Sequence, residues 1–205
     1  MGDATLRQDG PVPRVEERIV LAAIQSLGQR GRPAAEPDAA PSSPGLYALH
    51  ADREAWLELG LGEPPDERPI YVGKAEHSLM SRDVNTHFSN GTTGSSTVRR
   101  SLAALLRDRL RLRACPRNPD MPDGSANYGL EPESDGRLTT WMHQHLLLSV
   151  WPRDVICVLD HLETDVLERL LPPLNLVKVR TPWTRQIKNR RADLAAEARA
   201  WRPVE

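Results

Sequence analysis

At 205 residues, with 39% hydrophobic and 27% charged side chains and a formal net charge of −1, the chain suits one globular domain, or two small ones, with a proper core. No run approaches the roughly 18 apolar residues of a membrane-crossing helix, and no basic N-terminal segment precedes a hydrophobic one, so a cytoplasmic protein without a membrane partner is expected. Cys115 and Cys157 stand far apart, with no CxxC or Cys/His ligand spacing, which fits a reduced compartment and leaves out a structural zinc.

The neutral total hides a gradient. Residues 1–70 hold seven Lys/Arg against twelve Asp/Glu, whereas residues 178–205 hold eight against three. A basic end can follow phosphates, each neutralised phosphate releasing counterions. It can equally be a solvated helix face.

In chain order, Val15, Ile19, Ala22, Ala23 and Leu27 share one face of a helix predicted over residues 14–28, stopped by Gly28. The Pro, Ala and Gly rich stretch 29–44 follows neither period and reads as an extended linker. Residues 45–50 and 69–73 have the apolar, aromatic and β-branched look of core strands, with a polar loop between them. A short helix is expected over 78–88, then a turn-rich loop over 90–97 that ends in good N-cap residues and leads into a helix over 98–112. That helix sets Val98, Leu102, Leu105, Leu106 and Leu110 on one face.

Residues 114–137 are Pro, Asn, Asp and Gly rich and read as loop. The run after them admits strand or helix, and a strand around Thr139–Leu148 is the preferred reading. Residues 156–160 form another short hydrophobic run, residues 163–171 have helical spacing that ends at Pro172-Pro173, and a basic helix closes the chain over about 184–201. No GxGxxG or GxxxxGK loop occurs, which argues against nucleotide hydrolysis and dinucleotide redox chemistry.

Several residues then fall into an ordered pattern. Gly45-Leu46-Tyr47 is followed by Tyr71-Val72-Gly73, Lys74-Ala75, Arg82 and His87-Phe88. Downstream, Glu163 precedes Pro172 by nine residues and Asn175 by twelve. The two triplets resemble the GIY and YIG signatures of the GIY-YIG nuclease superfamily, and Glu163 with its Pro-x-x-Asn turn resembles that family's glutamate helix. The resemblance covers about residues 44–176 and extends to the segment 94–102. It departs from the family in the 23 residues between Tyr47 and Tyr71 and in Arg82, which stands five residues before His87 where four is usual.

The resemblance implies an α/β fold, a small and mostly antiparallel central sheet flanked by helices. It divides the chain into an N-terminal helix and flexible linker (1–43), a nuclease-like domain with insertions (44–177) and a basic helical tail (178–205). It further implies a metal-dependent endonuclease acting on DNA in repair, restriction or mobile-element maintenance. Glu163 would hold Mg²⁺ or Mn²⁺, and Tyr47 would take a proton from the attacking water. Tyr71 and Arg82 would contact the scissile phosphate, with Lys74 and His87 assisting. Asn175, Gly45 and Gly73 would support the site.

Outside that core, Arg99, Arg100, Arg185 and Lys188 are the best placed to meet nucleic acid, Arg185 and Lys188 lying near Trp183 in a possible stacking patch. Packing of Trp183 and Trp201 onto the body is an equal reading. His143 and His145 read as structural, and His161 stands close to Glu163. Two further functions compete: a nucleic-acid-binding module that cuts poorly, and a fold redeployed for chemistry away from nucleic acid, in keeping with the near-neutral charge.

Overall fold

The computed structural model describes residues 15–29, 31–33, 41–79, 85–118 and 127–202. In chain order its elements are α1 (Glu17–Gly28), β1 (Arg32–Pro33), β2 (Gly45–Ala51), α2 (Arg53–Glu58), β3 (Tyr71–Ala75), α3 (Asn85–Phe88), α4 (Thr97–Leu110), β4 (Ala114–Pro116), β5 (Tyr128–Leu130), α5 (Pro132–His145), β6 (Leu146–Pro152), α6 (Leu159–Leu170) and α7 (Thr184–Ala200). The four-stranded sheet has the order β1-β6-β2-β3 with every pairing antiparallel, and β4 with β5 forms a separate hairpin. This is the α/β architecture with a small antiparallel sheet that the sequence led us to expect.

Strand alternation divides the core in two. Leu46, Ala48 and Val72 point to a cluster built with Val20, Ala23 and Leu27 of α1 and Leu159, Leu162 and Val166 of α6. Tyr47, Leu49 and Ala75 point the other way, into a larger cluster with residues of α2, α4, α5 and α7. The C-terminal end of α1 is fastened to the sheet by His50 and Ser149, whose side chains both meet the Leu27 carbonyl, at 2.8 and 2.9 Å.

Three local expectations change. The preferred strand over Thr139–Leu148 is helix as far as His145: Pro132 opens α5 at its first turn, and Leu138, Trp141 and Met142 are buried at helical spacing. The strand begins only at Leu146. The polar loop after β2 contains α2, capped by Asp52, whose Oδ1 accepts from Ala55 N at 2.8 Å. The loop assigned to 114–137 contains the β4–β5 hairpin and the start of α5. In the hydrophobic run 156–160 Ile156 is fully exposed, and the chain enters α6 at Leu159. Of the helix expected over 78–88, residues 85–88 are helical as α3, while 80–84 lie outside the described residues.

The basic segment at the end forms α7, which packs against α4, β4 and β5. It buries Ile187, Leu194, Ala195 and Ala198. Trp183 packs edge-on against Trp56 and donates to the Leu61 carbonyl at 2.7 Å, and Trp201 donates to Glu131 at 2.9 Å. No described helix is long and apolar enough to cross a membrane.

Candidate active site

Antiparallel pairing sets Tyr47 opposite Gly73 and Leu49 opposite Tyr71. Residues two apart share a face of a strand, so the two tyrosines are diagonal neighbours, with ring centroids 6.1 Å apart. The Tyr47 ring lies across Gly73, where a Cβ would come within 2.5 Å of its Cζ and hydroxyl. At Gly45 a Cβ would collide with the Trp151 carbonyl of β6. Both glycines of the two triplets are therefore required by close approach.

His87 completes an aromatic group with the tyrosines, its ring 5.7 Å from Tyr47 and 6.2 Å from Tyr71. Its Nε2 lies 2.6 Å from the Tyr47 hydroxyl and its Nδ1 lies 2.7 Å from Ser96 Oγ. Ser96 is also the N-cap of α4, accepting from Arg99 N at 3.2 Å. Burial, helped by the positive charge of Arg99, pushes His87 down to about 4, so the imidazole is neutral near pH 7. When Nδ1 donates to Ser96, Nε2 offers a lone pair to the Tyr47 hydroxyl; in the other tautomer Nε2 donates to the phenol oxygen.

Arg99 itself is fully buried. It donates to Thr93 Oγ1 at 3.0 Å, the His87 carbonyl at 2.9 Å, Thr139 Oγ1 at 2.9 Å and Asp135 Oδ2 at 2.8 Å. The guanidinium that the sequence placed against nucleic acid instead ties the loop carrying His87 and Ser96 to α5, with no face toward solvent. Arg100 is 7% exposed, whereas Arg185 and Lys188 are exposed on α7.

Asn175 works on β3, an edge strand. Its Oδ1 accepts from Val72 N at 2.9 Å and its Nδ2 donates to the Val72 carbonyl at 2.7 Å, so the side-chain amide takes the place of a neighbouring strand. Leu174 N adds a bond to the Ile70 carbonyl at 2.9 Å. The backbone between Tyr71 and Gly73 is thus held from both sides.

Glu163, 9% exposed on α6, receives Lys178 Nζ at 2.6 Å on Oε2. The same ammonium lies 2.9 Å from Asp160 Oδ1, which also takes Lys74 Nζ at 2.8 Å. The two lysines hold the Asp160 carboxyl down at about 2. Glu163 is therefore joined through Lys178, Asp160 and Lys74 to a cleft of about 480 Å³ lined by Lys74, Glu76, His77, Ser78, Thr86, His87 and Ser95.

Tyr47, Tyr71 and His87 are thus brought together, and Lys74 borders the same cleft. Arg82 lies outside the described residues. His143 faces the Phe88 carbonyl at 3.3 Å and His145 stacks on Trp141, in keeping with structural roles. Sequence reading did not single out Asp135, Asp160 or Lys178. Ser96 was legible as a cap, but its bond to His87 was not.

Among the described residues no group of three or more His, Cys, Asp and Glu side chains forms a ready cation site. A hard divalent ion needs less from the protein, one or two carboxylates with waters and substrate phosphate completing its shell. Glu163, with Asp160 one turn before it on α6, fits that donor set.

A family model described as the GIY-YIG catalytic domain matches residues 62–197. The match takes in β3, Glu163, Asn175 and most of α7, and starts beyond Tyr47. No curated protein and no solved structure matches the chain.

Proposed function

Because the chain belongs to the GIY-YIG catalytic-domain family, whose model spans well over half of it, we propose that it is a metal-dependent endonuclease that hydrolyses phosphodiester bonds in DNA. The observation that carries this reading is the Tyr47 hydroxyl, 2.6 Å from a neutral, buried His87 and beside Tyr71. A free phenol is a poor base near pH 7 because it is protonated. The hydrogen bond to His87 fixes the orientation of the Tyr47 hydroxyl, so that its oxygen can be turned toward the attacking water and accept from it.

Tyr71, on the same face, hydrogen-bonds a phosphate oxygen, and Lys74 supplies positive charge at the cleft. Arg82 is assigned the second phosphate contact, as its place in the family pattern implies. Asn175 and the two glycines hold the tyrosines in place. Mg²⁺ or Mn²⁺ bound at Glu163 would offset charge on the phosphate and the leaving oxygen.

The test incubates the protein, Glu163→Ala and Tyr47→Phe with plasmid, single-stranded and branched DNA, in Mg²⁺, Mn²⁺ or EDTA. Metal-dependent cutting by the parent chain and its loss in both variants are expected. Lack of cutting on every substrate would overturn the proposal. It would favour a nucleic-acid-binding module, a reading that the Lys178 ammonium seated on Glu163 also supports.

A further inference from the structure

Arg100 presents a problem that the tyrosine site does not solve. The residue is 7% exposed, and its Nε is buried with no hydrogen-bond partner among the described residues. A buried donor left unpaired is costly, and more so when charged. Among the described residues its other nitrogens are engaged by neutral oxygens: Nη1 donates to the Gly94 carbonyl at 2.6 Å and Nη2 to Thr97 Oγ1 at 3.3 Å.

Two more arginines gather there. The side chain of Arg117 lies against Gly94, where a Cβ would come within 2.7 Å of its Cγ. Arg191 approaches from α7, which packs on α4. After burial itself, the charges of Arg191 and Arg117 help to push Arg100 down to about 10. Among the described residues, none of the three is ion-paired with a carboxylate, although arginines elsewhere in the chain commonly are. Tyr128, which donates to the Arg100 carbonyl at 2.5 Å, has its proton affinity raised by burial and so brings no negative charge.

We propose that Arg100, Arg117 and Arg191 form a site for a tetrahedral phosphate group beside the tyrosines, distinct from the phosphate at the reacting centre. Planar guanidinium forks match phosphate oxygens two at a time, and an anion would satisfy the donor left over on Arg100. The site adjoins the proposed active centre: Tyr71 lies within electrostatic range of Arg100, and Ser95 borders both the cleft lined by Lys74 and His87 and a second cleft of about 480 Å³ that Arg117 lines. On the nuclease reading, on which this part of the inference rests, the group bound is a backbone phosphate of the DNA flanking the one to be cut.

The test keeps the full chain and spares the buried residue. Arg117 is exposed and Arg191 half-buried, so an Arg117→Ala/Arg191→Ala double variant should fold, as its circular dichroism melt would verify. Inorganic phosphate is titrated while the Nε–Hε NMR signal of Arg100 is followed, that signal being identified by its absence in Arg100→Lys. A saturable shift is expected, with about tenfold weaker affinity in the double variant.

In a second arm, duplex DNA is bound in EDTA over a range of salt. The double variant should bind more weakly, with a salt slope shallower by about 0.9, the share of one phosphate. No phosphate-dependent shift at Arg100, or equal phosphate affinity in the two proteins, would overturn the site. A normal phosphate response with no duplex binding by the parent chain would keep the site, assign it to a free phosphate compound and sink the nuclease reading instead.

Discussion

The phenol of Tyr47 lies so close over Gly73 that a single added methyl group would stand 2.5 Å from its Cζ and hydroxyl. The two residues are partners across β2 and β3, so the clash cannot be escaped by a shift of a loop. Gly73→Ala should push the Tyr47 ring off His87, costing about 1–3 kcal/mol of stability and, on the nuclease reading, about 100-fold in cutting rate. Urea unfolding and single-turnover cleavage would measure the two losses. Unchanged cutting would show that the Tyr47–His87 contact is dispensable.

Asn175→Asp separates shape from hydrogen bonding. The aspartate keeps the size of the side chain and still accepts from Val72 N, but it sets an oxygen against the Val72 carbonyl where Nδ2 now donates at 2.7 Å. A loss of about 1–3 kcal/mol is expected from the unpaired carbonyl and the facing oxygens, read as a lower urea midpoint. Because the strand edge held there carries Tyr71, cutting should fall further than the loss of folded protein explains.

His87 should give the protein an acid-sensitive stability. Its imidazole is held at about 4 by burial, against an ordinary value of about 6.5. Between these values the unfolded chain takes up a proton that the folded chain refuses, so this contribution is complete above about pH 6.5 and is lost as pH falls toward 4. At about 1.4 kcal/mol per unit, the full loss is about 3 kcal/mol. Urea unfolding at pH 7 and pH 4.5, in the parent chain and in His87→Gln, isolates it from the carboxylates. Equal pH dependence in the two proteins would show that His87 is not held neutral by the fold.

The sequence disclosed what depends on local order and hid what depends on packing. Tyr47, Tyr71 and their glycines were legible because strands that pair through two short triplets put those four residues on one face. Asn175 was legible from its spacing to Glu163, though nothing in that spacing says that it would grip Val72. The stretch around Leu138–Leu148 misled because its leucines satisfy both periods. Only the burial of Leu138, Trp141 and Met142 at helical spacing decides for helix up to His145. Arg99 was misplaced for a related reason: next to a Ser/Thr loop, an arginine that clamps a phosphate and one that clamps its own fold are alike until Asp135 arrives, 36 positions later. Lys178 was invisible because it lies 15 residues beyond Glu163 and returns to it across the turn at Pro172–Asn175.

That returning lysine bears on how strongly a divalent ion can be held. Its ammonium sits 2.6 Å from Glu163 Oε2 and 2.9 Å from Asp160 Oδ1, and it is only 27% exposed. A cation arriving at Glu163 must displace Lys178 or bind beside it against like charge. Lys178→Met keeps much of the length and apolar stem while removing that competition. Affinity for Mn²⁺, measured by calorimetry on the protein without DNA, should rise roughly threefold to tenfold once solvent screening is allowed for. Glu163→Gln should abolish that heat, since the amide is a far weaker ligand than the carboxylate. Weaker Mn²⁺ binding in Lys178→Met would mean that the lysine orients Glu163 for the ion, and would make Lys178 a positioning residue in place of a competitor.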